Sequence, residues 1–315
     1  MRGRWKNRRV GLALGSGGAR GWAHLGVLQA LSEKGVEVEC VAGTSMGSLV
    51  GAFLAAGRIG SLRDLAEHLD WRRLRQFLWE VSLSRSGLTD GRKLLEETQK
   101  LLGVSEFREL ALPFRAVATD LDTGGEVVLD SGNLLQALRA SISIPGLFSP
   151  VWTGRRLLVD GGLVNPVPVN VARAMGAAFV IAVDVTHDIV PEKKPPAPRG
   201  KQAEPRTGPL RLPRASGAEE AAGALQVLEG FFDEVERKVR RLKDSWVEKG
   251  AKPDMMEVLV RSVRITEAQI ARTRRQVEPP DLLIEPAVGA IGTLDFQRAG
   301  EAMAAGYAAA RRALE

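Results

Sequence analysis

The stretch VECVAGTSMGSLVGAFLAAG, residues 38–57, constrains the fold of this chain more than any other. Strand-type apolar residues run into Gly43-Thr44-Ser45-Met46-Gly47, and a helical pattern follows at once and stops at Gly57. A strand that turns into a helix with no loop between them needs small residues where the segments cross. Strand, G-x-S-x-G, helix is the nucleophile-elbow pattern, in which the serine sits on a sharp turn and its Oγ projects above the sheet. The helix that starts there aims free N–H groups and the positive end of its dipole at the same point. The plainer reading is a tight turn with Ser45 as the N-cap of the helix.

The rest of the chain supplies the layers that such a turn requires. Strand patterns at Val10–Leu14, Glu39–Ala42, Phe114–Thr119, Glu126–Leu129, Arg156–Val159, Phe179–Val185 and Leu282–Ile284 alternate with helical ones. The helical patterns fall at 21–34, 45–56, 61–79, 91–102, 134–142, 167–175 and about 254–277. Thr123-Gly124-Gly125 predicts a hairpin between two of the strands. Alternating strands and helices predict an α/β layered domain with a mainly parallel sheet.

A serine nucleophile needs a base. His24 lies among apolar helix residues and reads as core, His68 lies in a charged helix, and His187 follows the strand at 179–185. None has a distinctive setting, so a histidine triad has little support, with His187 its best candidate. Arg156-Leu157-Leu158-Val159-Asp160-Gly161-Gly162 instead puts a carboxylate at the end of a strand, where open α/β sheets build their sites. Taken alone, D-G-G is also a common turn.

A second glycine stretch, VGLALGSGGARG at 10–21, also joins a strand to a helix. No register gives the G-x-G-x-x-G of dinucleotide binding: from Gly15 the third glycine falls on Arg20, and from Ser16 the first is missing. No lysine stands where a P-loop needs one. The remaining use is an oxyanion hole, with backbone N–H groups of Gly17, Gly18 and Ala19 as donors and Arg20 holding the loop or lending positive potential.

These three motifs in order, GSGGARG at 15–21, GTSMG at 43–47 and DGG at 160–162, resemble the patatin-like phospholipase family, especially its bacterial branch. ASISIPGLFSPV at 140–151 and DGGLVNPVPV at 160–169 resemble the family's blocks around its aspartate. The likeness runs from about residue 9 to 187 and returns in LLIEPAVGAIGTLDFQRA near the end. It implies a three-layer α/β/α fold with a mainly parallel sheet. It also implies a serine–aspartate dyad of Ser45 and Asp160, oxyanion donors from Gly17 and Gly18 with Ala19 beside them, and no metal or cofactor. Arg20, Gly43, Gly47, Gly161 and Gly162 are the supporting residues. One departure is Ser16, where the family often has a third consecutive glycine.

Charge and composition set the surroundings. Of 315 residues, 44% are hydrophobic, and the net charge is +6, a balance suited to anionic surfaces. The first nine residues, MRGRWKNRR, read as a basic arm, either solvated or on a membrane surface. Residues 10–186 read as the catalytic core, 187–216 as a proline-rich mobile insertion, and 217–315 as a helical segment plus the end of the same domain. Within the last, 218–249 carries Phe231, Phe232, Val235, Val239, Leu242 and Trp246 on one helical face and basic residues opposite. That pattern suits either anionic lipid or a covering helix on the sheet. A single cysteine, Cys40, excludes an internal disulfide framework and predicts a reducing compartment. No apolar run spans a membrane, and the short run after the basic start is not a signal peptide, since cleavage would remove the glycine loop. The expectation is a cytoplasmic lipid acyl hydrolase acting on phospholipids or lysophospholipids, peripheral to the inner face of the membrane, with no nucleic-acid partner. The alternatives are a soluble esterase or thioesterase with the same dyad, a non-catalytic lipid- or protein-binding relative, and a nucleotide-binding α/β protein.

Overall fold

Strand β1 (Val10–Leu14) is buried along its whole length and lies between two parallel neighbours, β2 (Cys40–Thr44) and β7 (Phe179–Val183). The computed structural model describes residues 5–67, 92–188 and 255–315. The chain divides into two units, and every described residue falls in the first, 1–193 with 255–315. The second, 194–254, lies outside the described residues, and with it the predicted helix at 218–249 and nearly all of the predicted insertion.

The described strands form one eight-stranded sheet. Its order is β5 (Val151–Thr153), β6 (Arg156–Asp160), β3 (Phe114–Asp120), β2, β1, β7 and β8 (Leu282–Ile284), with β4 (Glu126–Leu129) paired to β3. The β3–β2–β1–β7–β8 run is parallel, while β4, β5 and β6 pair antiparallel. Both faces of the central strands are covered, as parallel sheets require. Leu12 and Leu14 of β1, Val41 of β2 and Ile181 of β7 face the larger core. That core is filled by α1 (Ala23–Glu33), α2 (Met46–Ala55) and α8 (Ala299–Ala313). Ala13, Ala42, Val180 and Ala182 alternate to the other face, under α6 (Val169–Ala174). Side chains there are small because α6 and the turn after it lie close: a methyl on Gly11 would sit 2.6 Å from the Ala177 Cβ and 3.6 Å from that of Ala172. The remaining helices are α3 (Ile59–Glu67), α4 (Arg92–Leu102), α5 (Leu134–Ser141) and α7 (Met255–Val277).

The predicted strands are found with their ends moved by up to two residues, and the predicted hairpin is the β3–β4 pair. The helix predicted over 21–34 begins as a 3-10 turn at Gly18–Trp22 before α1 takes over. The helix predicted over 61–79 is α3 as far as Glu67; its remainder lies outside the described residues. Strand β5 and helix α8 have no counterpart in the sequence reading.

One expectation is corrected. The arm predicted over residues 1–9 is not solvated throughout, because Trp5 is only 8% exposed and belongs to the main core. The backbone of Arg9 accepts hydrogen bonds from Ala178 and Phe179, and the Arg8 guanidinium lies over the Phe179 ring. A large apolar ring gains more from burial than the neighbouring charges lose by lying flat on the surface.

Register on β3 explains how the site is assembled. Ala116 and Val117 pair with β2 and with β4, so those two strands lie on opposite edges of β3. Ala118 and Thr119 pair with β4 and with β6, so β6 lies on the edge that β2 has just left. Thr44 is opposite Val117, and Asp160 is opposite Ala118. Strands β2 and β6 therefore meet end to end along one edge, and the residues at their ends, Ser45 and Asp160, are brought together across 115 positions of sequence.

Candidate active site

Ser45 stands between β2 and α2 with φ 54 and ψ −124, a left-handed conformation that side chains rarely adopt. Such a residue stores about 1–3 kcal/mol of strain, which the surrounding structure must hold. Here the Ser45 N–H donates to Ser141 Oγ at 3.0 Å, and Ser141 in turn donates to the Val117 carbonyl at 2.6 Å. On either side, Thr44 donates to the Asn165 carbonyl, and Ser48 donates to the Ser45 carbonyl. The turn closes only because Gly43 and Gly47 have no side chains: a methyl on Gly43 would lie 2.4 Å from the Gly47 carbonyl oxygen.

Ser45 Oγ donates a 2.6 Å hydrogen bond to Asp160 Oδ2. The other carboxylate oxygen, Oδ1, accepts from the Gly162 N–H at 2.8 Å. The Asp160 backbone is fixed by Thr119, which donates to its carbonyl, and by its own N–H donating to the Ser143 carbonyl. Gly161 permits this turn to press on β3, since a methyl there would meet the Val117 carbonyl oxygen at 2.3 Å. Burial pushes the Asp160 carboxyl up to about 7, and the hydrogen bonds from Ser45 and Gly162 oppose that shift. An aspartate so placed can take up and return a proton near neutral pH.

Residues 15–20 wrap over the same end of the sheet. The Gly15 and Ser16 amides are tied to the Val183 and Pro166 carbonyls. Ala19 was expected among the oxyanion donors; its N–H instead donates to the Thr293 carbonyl at 2.9 Å, so that role is corrected. Among the described residues no group accepts from the N–H of Gly17 or Gly18. Gly18 has φ +56, and a methyl on it would strike the Thr293 carbonyl oxygen at 2.4 Å. Arg20 is buried and donates to the Ile291 carbonyl, holding the loop to the C-terminal segment. The loop is thus clamped from behind, and the free amides left are those of Gly17, Gly18 and the first turn of α2.

The described histidines are occupied elsewhere. His24 is buried with Nε2 at 2.8 Å from the Gly15 carbonyl, and burial lowers it to about 4, so it is a neutral donor that supports the glycine loop. His187 Nδ1 contacts the Asp184 carbonyl. His68 lies outside the described residues. Among the described residues no group of His, Cys, Asp and Glu side chains is arranged to hold a metal ion.

A cavity of about 130 Å³ opens beside Ser45 and Gly18, walled by Trp22, Leu49, Phe53, Ile142, Phe148 and other apolar side chains. An open hollow of about 690 Å³ lies at the far end of β3, near Phe114 and Asp130, with no dyad residue in its lining. Ser141 and Asn165 lie in the blocks at 140–151 and 160–169, where the sequence alone assigns a role to neither. Glu267, whose carboxyl reaches the Asp160 turn, was missed: its signal is the i, i+3, i+4, i+7 set Arg264, Glu267, Ala268 and Ala271, a buried stripe with two charged members.

A family model described as patatin-like phospholipase matches residues 12–173. An uncharacterised NTE family protein of Mycobacterium tuberculosis is 34% identical over 337 residues, covering 98% of this chain and 91% of its own. Patatin-like phospholipase domain-containing protein 6 of Mus musculus is 36% identical over 182 residues, 56% of this chain and 13% of its own. Among solved structures, VipD from Legionella pneumophila aligns over 98% of this chain and 67% of its own, with 18% identity and a TM-score of 0.48.

Proposed function

This chain belongs to the patatin-like phospholipase family, and from that premise we propose that it hydrolyses carboxylic esters of phospholipids or lysophospholipids through Ser45 and Asp160. The observation that carries the proposal is the 2.6 Å hydrogen bond from Ser45 Oγ to Asp160 Oδ2 at a strained strand-to-helix turn. As Oγ forms its bond to the ester carbonyl carbon, the hydroxyl proton passes to Asp160. The carbonyl oxygen takes the negative charge and lies against the Gly17 and Gly18 amides and the start of α2. A donor of this kind contributes about 2.7–4 kcal/mol to the transition state. Collapse breaks the ester bond, the departing alkoxide takes the proton from Asp160, and the acyl group stays on Ser45. Water then attacks the acyl-enzyme, gives its proton to Asp160, and releases the fatty acid as the proton returns to Oγ.

A lipid-like fluorophosphonate is expected to label Ser45 and no other residue, as mapped by mass spectrometry of intact and Ser45→Ala protein. The labelling rate should rise through pH about 7, because Asp160 accepts the proton only when ionised. Absence of an adduct in folded protein at pH 8 would sink the dyad.

The net charge of +6 supports anionic phospholipid as the physiological surface. Among the described residues no helix is long and apolar enough to cross a membrane. Vesicles containing phosphatidylserine should co-sediment the protein at low salt and release it at high salt, with neutral vesicles as control. Equal binding to both vesicle types would count against an electrostatic contact. A soluble esterase with the same dyad is the second reading. The cavity volume favours it, being below the roughly 300–1,000 Å³ usual for ligand sites, so short-chain esters are the first substrates to compare with vesicles.

A further inference from the structure

Helix α7 follows the undescribed segment and returns to the sheet with a carboxylate pointing inwards. Glu267 is 7% exposed, on the buried stripe of a helix whose other faces, at Ile265, Thr266 and Gln269, are exposed. A methyl on Gly162 would lie 2.1 Å from Glu267 Oε1 and 3.1 Å from Asp160 Oδ1, so the two carboxyls flank the same bare Cα. They are within about 5 Å of one another, where like charges resist joint ionisation. On its other side Glu267 comes near Ser16, whose buried Oγ makes no hydrogen bond among the described residues, and beyond Ser16 the glycine loop continues to Gly17 and Gly18. The remaining charged groups facing it are Arg20 from the 3-10 turn and Asp184 after β7. On its own helix Arg264 is engaged with the Asp188 and Gly289 carbonyls.

We propose that Glu267 is a positioning residue for hydrolysis: neutral, it packs against Gly162 and supports the Asp160 turn behind the glycine loop, and its ionisation shuts the reaction down. This rests on the dyad reading above. The chemistry follows from the charge count. The reaction develops one negative charge over the glycine loop while Asp160 gains a proton. A second carboxylate behind Ser16 repels that oxyanion, whereas a carboxylic acid does not. Burial, with the Asp160 charge adding to it, pushes Glu267 up to about 8, against Arg20 and Ser16, which pull it down. Asp160 rises to about 7. Asp160 accepts hydrogen bonds from Ser45 and Gly162, which favour its ionised form, so a proton shared by the pair rests on Glu267, and the titration belongs to both groups together.

The test is the pH–rate profile of soluble nitrophenyl ester hydrolysis for wild type and Glu267→Gln. Wild type should rise through pH about 7 and fall at least about fivefold beyond pH about 8. Glu267→Gln should keep the rising limb and lose the falling one, since the amide fills the same space and cannot ionise. A falling limb retained in Glu267→Gln overturns the proposal. Ser16→Ala provides a second variant: without the hydroxyl that favours the anion, the falling limb should move to higher pH, and a limb that stays or moves down counts against the proposal. A readout independent of turnover uses the Ser45→Ala background. Glu267 has its acid form favoured by folding, so it costs stability as pH rises from about 4.5 through about 8. Adding Glu267→Gln should therefore raise the denaturation midpoint increasingly over that range, and a pH-independent difference overturns the assignment. If wild type shows no turnover at any pH, the hydrolase reading fails, and this stability slope alone decides whether Glu267 carries the proton.

Discussion

Ser45→Ala and Asp160→Asn should each lower ester turnover by at least about 10³-fold while leaving the protein folded. The two side chains act as one unit, so the double variant should be hardly slower than either single one. The stability change of Asp160→Asn should run the other way from its activity, which separates lost chemistry from lost structure. Asp160 is fully buried, and its carboxyl is raised from 3.8 to about 7 mainly by desolvation. Below pH 3.8 both folded and unfolded chains hold the proton, and the group contributes no pH dependence. Between 3.8 and about 7 the unfolded chain gives it up more readily, so stability falls as pH rises, and above that range the cost is complete. Asparagine carries no such cost, and its amide oxygen still suits the Gly162 N–H. Urea denaturation should therefore show Asp160→Asn gaining on wild type between pH 4 and pH 8. A variant that is inactive and also less stable at pH 8 would point to a structural aspartate.

That the dyad was legible from sequence and Glu267 was not has a physical basis. Ser45 and the glycines around it are governed by local geometry. A chain with φ 54 at the elbow, and carbonyls 2.4 Å from a would-be methyl, admits few residue types, so the motif is written in consecutive letters. The Asp160 turn is likewise local. The handover from β2 to β6 along one edge of β3 joins these motifs, and it is a matter of register, which depends on pairings far apart in sequence. Helix α8 was unread because its alanine-rich pattern has a weak apolar face. Its fit depends on α1: methyls on Gly26 or Gly306 would run into the Met303 or Ala23 carbonyl oxygen at 1.9 and 2.0 Å. Trp5 stood among basic residues that outweigh it in any average, yet burial of one ring decides where that segment lies. Position in the loop points the Ala19 amide at the oxyanion, and its use by Thr293 depends on a segment 274 residues away.

Gly47→Ala tests the crossing of α2 over the end of β1 and should be the most damaging single methyl near the site. The added carbon would lie 2.1 Å from the Leu14 carbonyl oxygen and 2.6 Å from that of Gly15. Both are backbone atoms, and neither can rotate away as a side chain would. Leu14 is fixed by pairing to β2 and β7, and Gly15 by its hydrogen bond to the Val183 carbonyl. Relief must come from moving α2 off the sheet or from pushing the glycine loop outwards. Overpacking of this kind costs about 1–3 kcal/mol and more where the neighbours are rigid, so a loss of at least about 3 kcal/mol is expected. Catalysis should suffer beyond the loss of folded protein. Leu14 and Gly15 lead into Gly17 and Gly18, and a shift of about 1 Å between those amides and Ser45 costs about 10²-fold in rate. The measurement is kcat/KM of the folded fraction at low temperature, beside the denaturation midpoint. Gly60→Ala is the control, because a methyl there meets no atom within 4 Å and the position is helical, so it should stabilise by about 0.5–1 kcal/mol without changing turnover. If Gly47→Ala keeps wild-type stability and turnover while Gly60→Ala behaves as described, the close crossing of α2 over the end of β1 is not what holds Ser45 in place.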